Sequence, residues 1–164
     1  MSKELSIPAE AQEMRDRLMN FVKFINKKPP HQRVKKNKFA NNADYLPIGF
    51  YEREMDKVFC GQWKSRFVGG TKFAGAHSIV VDMEVDFKHP VTGEWLTRCG
   101  TGASQMQMDA KTGNVRDKAV EIAAPRAKTM AFKNACKSIG DLFGRHLNRE
   151  DEGEMENYYK PLNK

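Results

Sequence analysis

The stretch from Asp117 to Gly144, DKAVEIAAPRAKTMAFKNACKSIGDLFG, constrains the fold of this chain more than any other. Ala127, Ala131, Ala135, Ile139 and Leu142 recur at spacings of three and four, with Phe132 and Phe143 flanking them. That periodicity predicts a long helix with one apolar face. Its alanines are small enough to let the helix lie close to a sheet. Ala119, Ile122 and Ala123 carry the pattern back beyond Pro125, which predicts a kink there rather than a break. Arg126, Lys133 and Lys137 fall on the other face as a basic stripe. Taken alone, such a stripe is an ordinary solvated helix face. Its meaning depends on what precedes it.

Pro8 to about Lys27 reads as a first helix, with Leu18, Phe21, Val22 and Ile25 inward and Pro29-Pro30 ending it. Residues 28–44 read as a polar linker dense in Arg33, Lys35, Lys36 and Lys38. A second helix is expected from about Ile48 to Phe59, stopped by Gly61. Three strands follow. Trp63 to Val68 alternates and meets a turn or bulge at Gly69-Gly70. Ser78 to Phe87 alternates strictly, with Ile79, Val81, Met83, Val85 and Phe87 on one side and Asp82, Glu84 and Asp86 on the other. His89 to Gly93 is a hairpin loop, and Glu94 to about Ser104 is the third strand. The expected fold class is α+β: an antiparallel three-stranded meander followed by a long helix, with N-terminal helices before it. Three regions are expected: an N-terminal helix and basic linker (1–44), the β-β-β-α core (45–148), and an acidic, loosely ordered tail (149–164).

The 164 residues are enough for one domain with a substantial core. There is no apolar run of about 18 residues and no signal-like apolar segment at the N-terminus, so a cytoplasmic protein without a membrane partner is expected. The net charge of +7 and a pI near 9.3 favour a polyanionic partner, nucleic acid first. Cys60, Cys99 and Cys136 are too widely spaced for zinc, and are expected to be reduced and buried as small hydrophobes. Neither a metal site nor a cofactor is expected.

Asp82, Glu84 and Asp86, with Lys88 after them, have the layout of a Mg²⁺-dependent nuclease site. The plainer alternative is the polar face of an amphipathic strand. Gly100-Thr101-Gly102-Ala103 lacks the remaining glycine of a dinucleotide fingerprint, and the chain has no P-loop. Cys99 and Cys136 have no positioned base, so no nucleophile is evident. Basic residues are instead spread over the linker (Arg33, Lys35, Lys36, Lys38), the first strand (Lys64, Arg66), the hairpin (Lys88), the approach to the long helix (Lys111, Arg116) and its stripe (Arg126, Lys133, Lys137). Such scatter suits contact with a phosphate backbone without sequence preference. A basic RNA-binding protein is a further alternative.

The order of these parts resembles the single-strand annealing proteins of the Rad fifty-two superfamily, especially small phage members of the Sak type. The resemblance rests on Tyr45-Leu46-Pro47 before a helix ending at Phe59, the aromatic strand start at Trp63, the hairpin, and Gly100-Thr101-Gly102-Ala103-Ser104. Its most specific part is the helix from Ala127 to Gly140, closing at Leu142-Phe143-Gly144. It implies ATP-independent annealing of complementary strands in phage recombination and repair, with no covalent chemistry. It also implies self-assembly into rings or helical filaments, single-stranded DNA as ligand, and a phage exonuclease or single-strand-binding protein as a further partner. An inner groove would fall on Lys133 and Lys137, with Lys35 and with Arg126 as a substitute for a second helix cation replaced here by Asn134. An outer site would fall on Lys88 with Lys111 or Arg116.

Overall fold

A computed structural model describes residues 8–38 and 40–149. The elements run α1 (Ala9–Ile25), β1 (Lys35–Asn37), β2 (Ala43–Tyr45), α2 (Ile48–Phe59), β3 (Trp63–Ala74), β4 (Ser78–Lys88), β5 (Trp95–Gln105) and α3 (Ala119–Lys137). Single 3₁₀ turns lie at His31–Arg33 and Asp141–Phe143. The expected α+β class and three-stranded meander are present: β4 pairs antiparallel with β3 on one side and β5 on the other.

The strict alternation of β4 puts Ile79, Val81, Met83, Val85 and Phe87 on one face, each at most 2% exposed. Burying each side chain contributes about 1.5–3 kcal/mol. The helix α3 covers this face through Ala119, Ala123, Ala127, Ala131 and Ala135, at i, i+4 spacing. Opposite them on β5 stand Gly100 and Gly102. A Cβ on Gly100 would collide with the Ala131 carbonyl oxygen and the Ala135 amide nitrogen. One on Gly102 would collide with the Ala127 carbonyl and the Ala131 amide. Helix backbone therefore rests directly on strand backbone, which alanine and glycine alone permit. Pro125 lies within α3, and the helix runs through it.

At the C-terminal end of α3 the core thickens. Phe132 packs near Trp63 with ring centroids 5.7 Å apart, and Phe59 lies against Phe87 at 4.5 Å. Leu46, Tyr51, Met55 and Phe143 close the core beneath α2. Ile25, at the last turn of α1, joins them, whereas most of α1 is exposed.

Several expectations need correction. The helix expected through Gly144 stops at Lys137 and is followed by the separate turn Asp141–Phe143. Arg145 folds back to donate to the carbonyls of Lys137 (3.3 Å) and Ser138 (2.9 Å), groups that a helix end leaves without partners. The linker at 28–44 is partly ordered as the β1–β2 hairpin, so a boundary at 44/45 cuts through a strand. β3 does not end at Val68; it passes through a bulge at Gly69-Gly70 and continues to Ala74. Cys136 is buried as expected, but Cys60 and Cys99 are exposed. Of the acidic tail, only Arg149 lies within the described residues.

Candidate anion-binding surface

The stripe on α3 becomes a site because the β1–β2 hairpin and the turns after α3 fold against it. Lys133 donates from Nζ to the Leu46 carbonyl oxygen at 2.7 Å. The same ammonium lies 5.7 Å from the ring centroid of Tyr45 and 5.6 Å from that of Tyr51, within cation–π range. It is half-buried, and burial lowers its pKa from 10.5, with the charge of Lys137 lowering it further. Lys137 is also half-buried and lowered, first by burial and then by Arg149. Lys35 stands opposite Tyr45 in the β1–β2 register, which places it beside the ring that Lys133 covers.

Lys35, Lys133, Lys137 and Arg149 are thus brought to one region. None of the four has a carboxylate partner among the described residues. Partly desolvating two cations against each other is unfavourable for the isolated chain, and an anion bound between them would relieve it. The hairpin is held there by Asn148, whose amide donates to the Asp44 carbonyl at 2.6 Å while its Oδ1 accepts from the Asp44 amide at 2.7 Å. Asn134 is turned elsewhere: its Nδ2 donates to the Thr101 carbonyl on β5 at 2.8 Å.

The sequence offered no signal for Arg149, because only the reversal after α3 brings it near Lys137. Tyr51 was equally hidden, as a buried aromatic on a core-facing helix. Burial holds its hydroxyl pKa well above the usual tyrosine range.

The other basic positions fall into different surroundings. Lys36 is paired with Asp44 at 2.8 Å. Arg33 borders a cleft on the outer side of α2 with Arg53, Glu54, Asp56 and Lys57. Lys64 and Arg66 lie on the sheet face opposite α3, as part of a charge lattice. Arg66 pairs with Glu84 and Asp86, which hold its guanidinium pKa above the ordinary value, Asp86 contributing most. Lys64 lies 4.0 Å from Asp86 and over the Trp95 ring at 5.5 Å. Lys88, at the end of β4, is apart from the α3 cluster. Lys111 and Arg116 belong to the loop between β5 and α3, where the Arg116 amide donates to the Gln107 carbonyl at 2.9 Å. Arg126 lies further along the stripe, at the mouth of a cleft with Met130.

The nuclease alternative is corrected by the same lattice. Asp82 accepts from Thr101 Oγ1 at 2.6 Å and from Lys72 at 3.0 Å, and these contacts lower its pKa, Thr101 most. Asp86 accepts from Thr97 Oγ1 at 2.7 Å and from Arg66, and Glu84 pairs with Arg66. The three carboxylates serve the strands beside them as cross-strand partners. Among the described residues no group of three or more His, Cys, Asp or Glu is placed to hold a metal ion. No helix among them is long and apolar enough to cross a membrane.

No family model matches the chain, and no curated protein matches it. Among solved structures, one match is a protein from Shewanella putrefaciens described as a SnoaL-like polyketide cyclase. It is 18% identical, over 70% of this chain and 87% of that one, with a TM-score of 0.23. A likeness at that level carries no conclusion about this chain. No family model matches, that of the Rad fifty-two superfamily included, and no curated member of that superfamily matches either. The kinship expected from Tyr45-Leu46-Pro47 and the Ala127–Gly140 pattern is accordingly corrected, and with it the annealing function that it implied.

Proposed function

We propose that this chain binds a phosphate-bearing polyanion at the surface formed by Lys35, Lys133, Lys137 and Arg149. One observation carries the reading: Lys133 and Lys137 are half-buried, each has its proton affinity lowered by burial and then by a neighbouring cation (Lys137 for Lys133, Arg149 for Lys137), and neither faces a carboxylate among the described residues. Charges in a solvated face are ordinarily exposed and spread out, whereas these are gathered. The net charge of +7 supplies long-range attraction for the same class of ligand. A single strand of nucleic acid, single-stranded DNA in the first instance, is the partner to test. Pairing of strands is no part of this reading.

Fluorescence anisotropy with a labelled oligothymidylate, at two salt concentrations, tests it. Affinity should fall with salt at about −0.7 in the log–log slope for each phosphate neutralised. Lys137→Ala should weaken binding about tenfold, while Arg66→Ala, whose charge is already compensated, should leave it within about twofold. Equal losses from both variants would remove the site, and absence of binding by the wild type would remove the function.

A homo-oligomer, as a ring or helical filament, is proposed as the assembled state. Both β3 and β5 are unpaired along their outer edges among the described residues. β3 also exposes Phe67 (51%) and Phe73 (64%), the features through which sheets associate edge to edge.

A further inference from the structure

The cleft beside β5 belongs to none of the contacts described so far. It has a volume of about 570 Å³ and is lined by residues 103–108 of β5 and the following loop, and by Arg126 and Met130 of α3. That size is in the range of small-molecule sites. Three methionines, Met106, Met108 and Met130, supply flat, polarizable walls. Ser104, only 6% exposed, has no hydrogen-bond partner for its hydroxyl among the described residues, and Gln107 in the following loop adds an amide that can both donate and accept. Arg126 has no carboxylate partner among the described residues.

The cleft is formed in advance rather than open loop. The Met106 amide donates to the His77 carbonyl at 2.8 Å, Arg116 donates to Gln107 at 2.9 Å, and Met108 bridges to Val115. Its position relative to the lysines follows from helix geometry. Arg126, Met130, Lys133 and Lys137 are spaced by four, three and four residues, so they share one side of α3. Arg126 and Lys133 are about 10 Å apart along the axis, at 1.5 Å per residue. A chain of phosphates passing Lys137 and Lys133 would next reach Arg126, and whatever it carried beside that phosphate would meet the cleft.

We infer that the cleft receives one nucleobase of a bound single strand, with the adjoining phosphate on Arg126. The methionine sulfurs favour the face and edge of an aromatic ring. The serine hydroxyl and the Gln107 amide suit the mixed donor and acceptor edge of any of the four bases, so a base is favoured without strong preference among them. A purely phosphate-reading surface has no use for such walls. This inference rests on the anion-binding reading and extends it from the backbone of the ligand to its bases.

Binding of an oligothymidylate is compared with that of an abasic sugar-phosphate oligomer of equal length. The wild type should favour the base-bearing strand by about tenfold. Met108→Ala combined with Met130→Ala should abolish that preference while leaving the salt slope unchanged. Both side chains are at least partly exposed, so the fold should tolerate their truncation. Without any substitution, photocrosslinking from a 5-iodouracil base should label residues 103–108 or Met130. Equal wild-type affinity for the two oligomers, or crosslinks confined to other segments, overturns the cleft and leaves the phosphate surface standing. Failure to bind either oligomer overturns the phosphate surface, and the base site with it.

Discussion

Lys133 shows how one residue can be legible in sequence and still be misunderstood. Its place on a basic helix stripe was evident, but its contacts with the Leu46 carbonyl and two tyrosine rings depend on the segment from the end of β2 into α2, more than eighty residues away. The strand cations Lys64 and Arg66 looked equally available, yet β4 neutralises them, because cross-strand register puts carboxylates opposite them. Proton linkage separates these groups experimentally. An anion binds the protonated lysines, whose pKa values are lowered, so affinity should fall as pH rises and should begin to fall below 10.5. Isothermal titration across that range checks this. Stability responds to Cys136 and Tyr51 with a definite sign. Burial raises both acids above their unfolded values of 9.0 and 10.0, so only the unfolded chain ionises them readily. Their contribution is complete below pH 9.0 and is lost as pH rises through the unfolded values. The depressed lysines act in the opposite direction in the window just below 10.5. Urea unfolding should show the alkaline loss, and Cys136→Ala should reduce its pH dependence, although it lowers the overall midpoint.

Among the elements, α3 and β5 form the junction on which the site depends. The alanine spacing of α3 and the two glycines of β5 were both visible in sequence, and the alanines announced a close helix–sheet contact. The partnership of these particular alanines with Gly100 and Gly102 required the register. Gly102→Ala should therefore destabilise the chain by about 1–3 kcal/mol or more, because the methyl group would meet helix backbone that cannot rotate away. The denaturant midpoint measures this. A change within a few tenths of a kcal/mol would mean that α3 can lift from the sheet at little cost. The alternation of β4 identified the inner strand without ambiguity. The length of β3 was obscured because Gly69-Gly70 resembles a turn in sequence but is a bulge between paired segments.

For the molecule as a whole, the sequence marked out a basic β-β-β-α protein, and the structure has that architecture with its cations divided between two faces. On the face opposite α3, charges of both signs cancel locally. Along the outer side of α3 the cations are uncompensated among the described residues. The resemblance that joined these facts to strand annealing rested on short, individually weak patterns, and no family model or curated protein matches the chain. The exposed aromatics on β3 lead to a separate expectation. Phe67→Lys with Phe73→Lys should reduce concentration-dependent self-association in sedimentation velocity, and no change in the distribution would exclude that edge as an interface. The central claim concerns the α3 surface. Its most direct measurement is the salt-dependent affinity of the wild type and of Lys133→Ala/Lys137→Ala for a labelled oligothymidylate, with the circular dichroism of both confirmed to agree. The account expects about a hundredfold loss of affinity and a log–log salt slope shallower by about 1.4. Unchanged affinity and slope in a folded double variant would contradict it.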